Sequence, residues 1–194
     1  MDRVQQQSYQ LLFENRFLRA KGDTFQRLFE ELLGKRYPGD FMACRPWGRQ
    51  GDRKNDGYLP SKRTLFQVYA PNEFPVAATV RKVQDDFAGA YAYWQQYFSR
   101  WVFVHNAFDQ RLPPDVIKTL ADIKQQNTEI EIESWGYQEL LIEFGKLGLA
   151  ELESWLGVVP NAADKGRLGF AEIEAVIEHI KLMPLTTSVA PRPV

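Results

Sequence analysis

The chain has 194 residues, 44% of them hydrophobic, and 24 Lys and Arg against 25 Asp and Glu. That length fits one domain, or one domain with an appendage, and the apolar content is ample for a packed core. Its single cysteine, Cys44, excludes an intrachain disulfide and a cysteine-based zinc site, and its apolar neighbours Phe41, Met42 and Ala43 mark it as buried. No apolar run approaches the ~18 residues that span a membrane. Gln5-Gln6-Gln7 and scattered charges do not make a secretory signal, so a cytoplasmic protein is expected.

In chain order, residues 3–20 read as a helix carrying Leu11, Leu12, Phe13, Phe17 and Leu18. Lys21-Gly22 ends it. Asp23 or Thr24 then caps a second helix, with Gln26 completing a capping box. Phe25, Leu28, Phe29, Leu32 and Leu33 form its apolar face. Residues 41–47 read as a strand. Residues 56–59 and 64–69 read as two more, joined through Pro60-Ser61-Lys62-Arg63. After a turn, Pro75 suits the first position of a helix. Val76, Val80, Val83, Phe87, Ala90, Trp94 and Phe98 follow at spacings of three and four, the clearest amphipathic helix in the chain. Trp101-Val102-Phe103-Val104 predicts a strand buried on both faces, residues 114–127 a helix, residues 129–135 a half-exposed strand, and residues 136–146 another helix. Phe170, Ile173, Ile177 and Ile180 mark a last helix. Residues 186–194 lack periodicity and read as a linker.

This order is α/β. It predicts a mixed sheet of about five strands with helices on both faces and the hairpin as an antiparallel part. The expected divisions are a helical lead-in over 1–22, a main domain over 23–160, a helical appendage over 161–185 and a linker over 186–194 to a further C-terminal domain.

The hairpin carries the chemistry. A turn centred on Ser61 and Lys62 sets Asp56 directly opposite Gln67, and opposed side chains share a face with Cβ atoms ~5 Å apart. Alternation adds Tyr69 to that face and turns Phe66 and Val68 to the other. A carboxylate beside an amide could hold a hard cation such as Mg²⁺, which takes oxygen ligands. Residues 45–63 hold six Lys and Arg against two Asp, whereas residues 121–153 hold eight Asp and Glu against two Lys. Arg45, Arg49, Arg53, Lys54, Lys62 and Arg63 therefore form a candidate phosphate-binding surface around the hairpin; the plainer reading is a solvated loop.

Phe29-Glu30, then Gly51-Asp52 with Asp56-Gly57, then Gln67, on a helix–hairpin–helix–strand order, resemble the PD-(D/E)XK restriction-endonuclease-like superfamily, in its Mrr-type branch. The resemblance implies a divalent-metal site of Glu30, Asp56 and Gln67. The lysine that completes the pattern is replaced by Tyr69. Arg45-Pro46-Trp47-Gly48, the loop 51–57, Phe66-Gln67-Val68-Tyr69-Ala70-Pro71, Trp101-Val102-Phe103-Val104-His105-Asn106, Leu112-Pro113-Pro114 and Ile130-Glu131-Ile132-Glu133-Ser134-Trp135-Gly136 together resemble the nuclease-like N-terminal domain of bacterial ABC-three-component system proteins. That family also carries Tyr at the lysine position. The resemblance implies a role in conflict with phage or plasmids, beside an ATPase partner, and a C-terminal domain beyond a Pro-rich linker.

The tyrosine changes the chemistry. A phenol titrates near ~10 and is uncharged at neutral pH, so it positions water without lending an ammonium's charge. Lys54, two residues before Asp56, is a possible substitute, while Lys82 lies off the apolar face of its helix and reads as solvated. Periodicity does not choose between Glu30 and Glu31. Asp52 reads as a loop cap, His105 as a histidine bonded to Asn106 or backbone, Trp47 as core, and His179 as surface. No Gly-rich phosphate loop, zinc spacing or Ser/His/Asp order is present. Three functions follow as expectations: a Mg²⁺-dependent DNA endonuclease, a non-hydrolytic module that binds nucleic acid or a protein partner, or a structural platform.

Overall fold

A computed structural model describes residues 1–44, 55–109 and 111–164. In chain order they form α1 (Arg3–Arg19), α2 (Gly22–Arg36), β1 (Met42–Ala43), β2 (Gly57–Leu59), β3 (Thr64–Tyr69), α3 (Val76–Trp94), β4 (Arg100–His105), α4 (Pro114–Gln126), β5 (Glu131–Trp135), α5 (Tyr137–Phe144) and α6 (Leu149–Leu156). The strands make one sheet in the order β1-β2-β3-β4-β5. β1 pairs antiparallel with β2, and β2 with β3 through a short connection, while β3, β4 and β5 pair parallel. Parallel neighbours need a crossover, which α3 and α4 supply. The fold is α/β, with an open five-stranded mixed sheet and helices on both faces.

Alternation along the strands sorts the core into two halves. Leu59, Phe66, Val102, Val104 and Trp135 face α1, α2, α5 and α6. Leu65, Trp101, Phe103 and Ile132 face α3 and α4. Tyr9, Phe13 and Phe17 lie four residues apart on α1, one stripe of the helix, and enter the first half. Phe13 stacks on Phe144 at 4.4 Å between centroids, and Phe66 meets Phe29 and Trp135.

Several boundaries differ from the sequence reading, each for a local reason. α2 begins at Gly22 rather than after an Asp23 or Thr24 cap. The Gly22 N–H donates to Ala70 O at 2.7 Å, Gly22 takes φ +48°, and Thr24 Oγ1 instead accepts from Lys21 N. Pro75 precedes the first turn of α3 instead of occupying it, and α3 ends at Trp94. α6 had no expected counterpart: it is two turns between Gly148 and Gly157, and only Leu152 is buried. Cys44 is half-buried rather than buried. The β2–β3 connection is a 3₁₀ turn over Pro60–Lys62 that closes with Arg63 in the left-handed region, φ 47°. The Arg63 carbonyl then accepts from both Ser99 N and Arg100 N, at 2.9 and 3.2 Å. The helix and linker expected beyond residue 164 lie outside the described residues. No helix among the described residues is long and apolar enough to cross a membrane.

Candidate functional site

The register of β2 on β3, Gly57 opposite Phe66 and Leu59 opposite Thr64, places Asp56 across from Gln67. The two side chains share the α3/α4 side of the sheet and touch: Gln67 Nε2 donates to Asp56 Oδ2 at 2.5 Å. The same oxygen accepts from Val68 N at 2.7 Å, and Asp56 N donates to Phe66 O at 3.0 Å. The carboxylate thus takes a strand N–H at the point where the β2 backbone leaves the ladder. Asp56 is 5% exposed and Gln67 2%. Gln67 Oε1 is buried with no hydrogen-bond partner among the described residues, which costs stability unless something else supplies a partner.

Gly57 fixes this corner. A Cβ there would lie 2.6 Å from the Phe41 ring, so only a hydrogen at that position lets Phe41 fold over β2 against Phe29 and Phe66. Tyr69, half-buried, meets Phe74 and Phe103 at about 6 Å between centroids and pairs in register with His105.

The other residues singled out from the sequence distribute differently. Glu30 is half-buried on α2, which packs on the Phe66 side of the sheet, opposite the side that Gln67 faces. Its carboxylate accepts from Gln26 Nε2 at 3.0 Å. Glu31 accepts from Trp155 Nε1. Lys62 Nζ donates to Tyr37 Oη at 2.9 Å and lies 4.7 Å over that ring, and Arg63 Nη2 donates to Gln96 O at 2.9 Å. Arg45, Trp47, Arg49, Asp52, Arg53, Lys54 and His179 lie outside the described residues. Among the described residues, no three His, Cys, Asp or Glu side chains converge at metal-binding range.

Two further polar features lie on the same side of the sheet: Asp86, which the sequence reading did not single out, and His105, which it read as bonded to Asn106 or backbone and which does accept from the backbone N–H of Ala107. Asp86 on α3 is fully buried and pairs with Lys82 Nζ at 2.5 Å. The signal was its spacing, three residues after Val83 and four before Ala90, which puts it on the apolar face. Lys82 is accordingly held in an ion pair rather than freely solvated. His105 is 2% exposed at the end of β4. Its Nδ1 accepts from Ala107 N at 3.3 Å, and its Nε2 lies 3.0 Å from Ser134 Oγ on β5. Burial lowers its pKa to about 4, so the ring is neutral near pH 7. Ser134 was not separable from its strand by sequence, because its contact depends on the parallel pairing of β4 with β5.

Comparison with protein-family models, with curated proteins and with solved structures finds no match.

Proposed function

We propose that the chain is a restriction-endonuclease-like domain acting on nucleic acid in a bacterial conflict system, with metal-dependent phosphodiester hydrolysis centred on Asp56 and Gln67. The observation that carries this reading is the buried Asp56–Gln67 pair with an amide oxygen left over. Mg²⁺ accepts as few as one or two protein oxygens and completes its shell with water and phosphate. With the Gln67 amide turned about its axis, Oε1 and the Asp56 carboxylate would be the two protein donors. A bound ion would supply Lewis-acid polarisation of a phosphoryl oxygen. Tyr69, on the same face, offers a phenol hydroxyl that would position water. Without an ammonium beside the scissile phosphate, cleavage should run ~10²–10³-fold below a lysine-bearing relative. DNA and an ATPase partner are the components this reading requires.

One observation favours a second reading, a module that binds nucleic acid or protein without hydrolysis. The Asp56 carboxylate already accepts from Gln67 and Val68, so it serves as a cap for β3 before any ligand arrives.

Plasmid cleavage with Mg²⁺ or Mn²⁺ separates the two, using wild type, Asp56→Asn and Tyr69→Lys with the ATPase partner present. Asn retains an acceptor for Val68 N but loses the charge. The nuclease reading expects metal-dependent nicking that Asp56→Asn abolishes and Tyr69→Lys raises. Inert wild type and inert Tyr69→Lys would leave the binding module, whose affinity for DNA should fall steeply with salt.

A further inference from the structure

The chain leaves β4 and β5 in opposite directions. α4 follows β4 onto the Trp101 side of the sheet, and α5 follows β5 onto the Trp135 side. Adjacent parallel strands whose connections part in this way open a crevice beyond their carboxyl ends, the usual ligand position in open α/β sheets. A cavity of about 360 Å³ lies there, between α4, β5 and the start of α5. Its volume is at the small end of the range for small-molecule pockets.

The chemistry of the lining is specific. Ile117, Leu120 and Ile132 form an apolar wall, and Ile117 is 54% exposed, a large aliphatic side chain left for something to cover. The polar end is His105 and Ser134. Because Ala107 N donates to His105 Nδ1, the ring proton sits on Nε2 and points at Ser134 Oγ. The imidazole therefore cannot take the serine proton, which rules out an activated nucleophile. Instead the Ser134 hydroxyl accepts from His105, and its own proton is left for a ligand in the cavity that Ser134 lines. Of the two carboxylates in the lining, Glu133 is held by Arg100 and Trp135 Nε1, and Glu139 accepts from Gly136 N. Lys124 at the rim forms no ion pair among the described residues.

We propose that this crevice binds a small molecule with an apolar body and an acceptor oxygen, a carbonyl or a carboxylate, which the Ser134 hydroxyl engages. Ile117 and Leu120 clasp the body. His105 is a positioning residue that fixes the direction of the serine proton. The site is independent of Asp56, and its occupancy does not depend on any cleavage activity.

The test is amide chemical-shift titration of the full chain with benzoate, benzamide and benzylamine. Benzoate and benzamide should move Ile117, Ser134 and Gly136 together, and benzylamine should not. Ser134→Ala should weaken both acceptor ligands at least tenfold, and Ile117→Asp, a change at an exposed position, should do the same in a folded chain. Lys124→Ala separates the two ligand sources, weakening benzoate alone if a carboxylate is preferred and neither if a carbonyl suffices. Shifts no larger in the crevice than elsewhere, benzylamine binding as well as benzoate, or unchanged affinity in a folded Ser134→Ala variant would each overturn the proposal.

Discussion

Phe66 and Gln67 are neighbours on β3, yet they enter unlike interiors. On the Phe66 side, α1, α2 and α5 close over rings of Phe13, Phe17, Phe25, Phe29 and Trp135, most of them in edge or stacked contact. On the Gln67 side, α3 and α4 also bury aliphatic and aromatic groups, but Asp56, Gln67, Thr79, Asp86, His105 and Thr119 are buried there as well. The Phe66 side buries fewer such groups, Gln5, Thr64 and Glu143, so it is specified mainly by volume, the other by volume and by which hydrogen bonds are met. Buried polar groups without full partners, such as Gln67 Oε1, destabilise a fold. Their concentration on one side is where function belongs, while the aromatic side supplies the stability that tolerates them.

The largest effect should come from the aromatic side. Phe66→Ala removes a ring shared by Phe29, Phe41 and Trp135 and should cost about 3–5 kcal/mol, read from urea unfolding. A cost near 1 kcal/mol would mean that the aromatic layer collapses to fill the gap and that the contrast between the sides is overstated. Next in size is the titration of His105. Burial holds the folded value at about 4, below the ordinary value for histidine. As pH falls from about 6.5 to 4, the unfolded chain takes up a proton that the folded chain refuses. Stability should therefore drop through that window, by on the order of 3 kcal/mol, and the contribution stays lost below it. With any constant offset removed, midpoints measured in wild type and His105→Gln should coincide near pH 7 and separate toward pH 4, where wild type alone has lost stability. A parallel pair of profiles would show that the imidazole is not a buried neutral group. Smallest is Gly57→Ala, expected to cost about 1–3 kcal/mol, because a methyl at 2.6 Å pushes the Phe41 ring aside. Phe41→Leu in the same background should recover part of that loss.

The sheet and its two faces were legible in the chain because periods of two and of three to four separate cleanly from Phe25 to Trp135. The Asp56–Gln67 contact was legible too, since a turn centred on Ser61 and Lys62 leaves one register. Asp86 was not, because a single carboxylate carries little weight against the seven hydrophobic residues of its stripe. The His105–Ser134 contact joins residues 29 apart through strand pairing that local pattern does not encode. Glu30 was drawn into the site by motif order, which carries no information about which face of the sheet its helix covers.

The Arg63 carbonyl has a consequence for the order of assembly. It anchors Ser99 and Arg100, at the start of β4, more than thirty residues downstream, and it faces them only once the 60–63 turn has closed on its left-handed residue. A hairpin closes in roughly microseconds, whereas β4 must first bring the whole of α3 with it. The turn is thus a seed on which the parallel half of the sheet is templated. Substitutions within it should slow the refolding arm of a chevron while leaving the unfolding arm nearly unmoved.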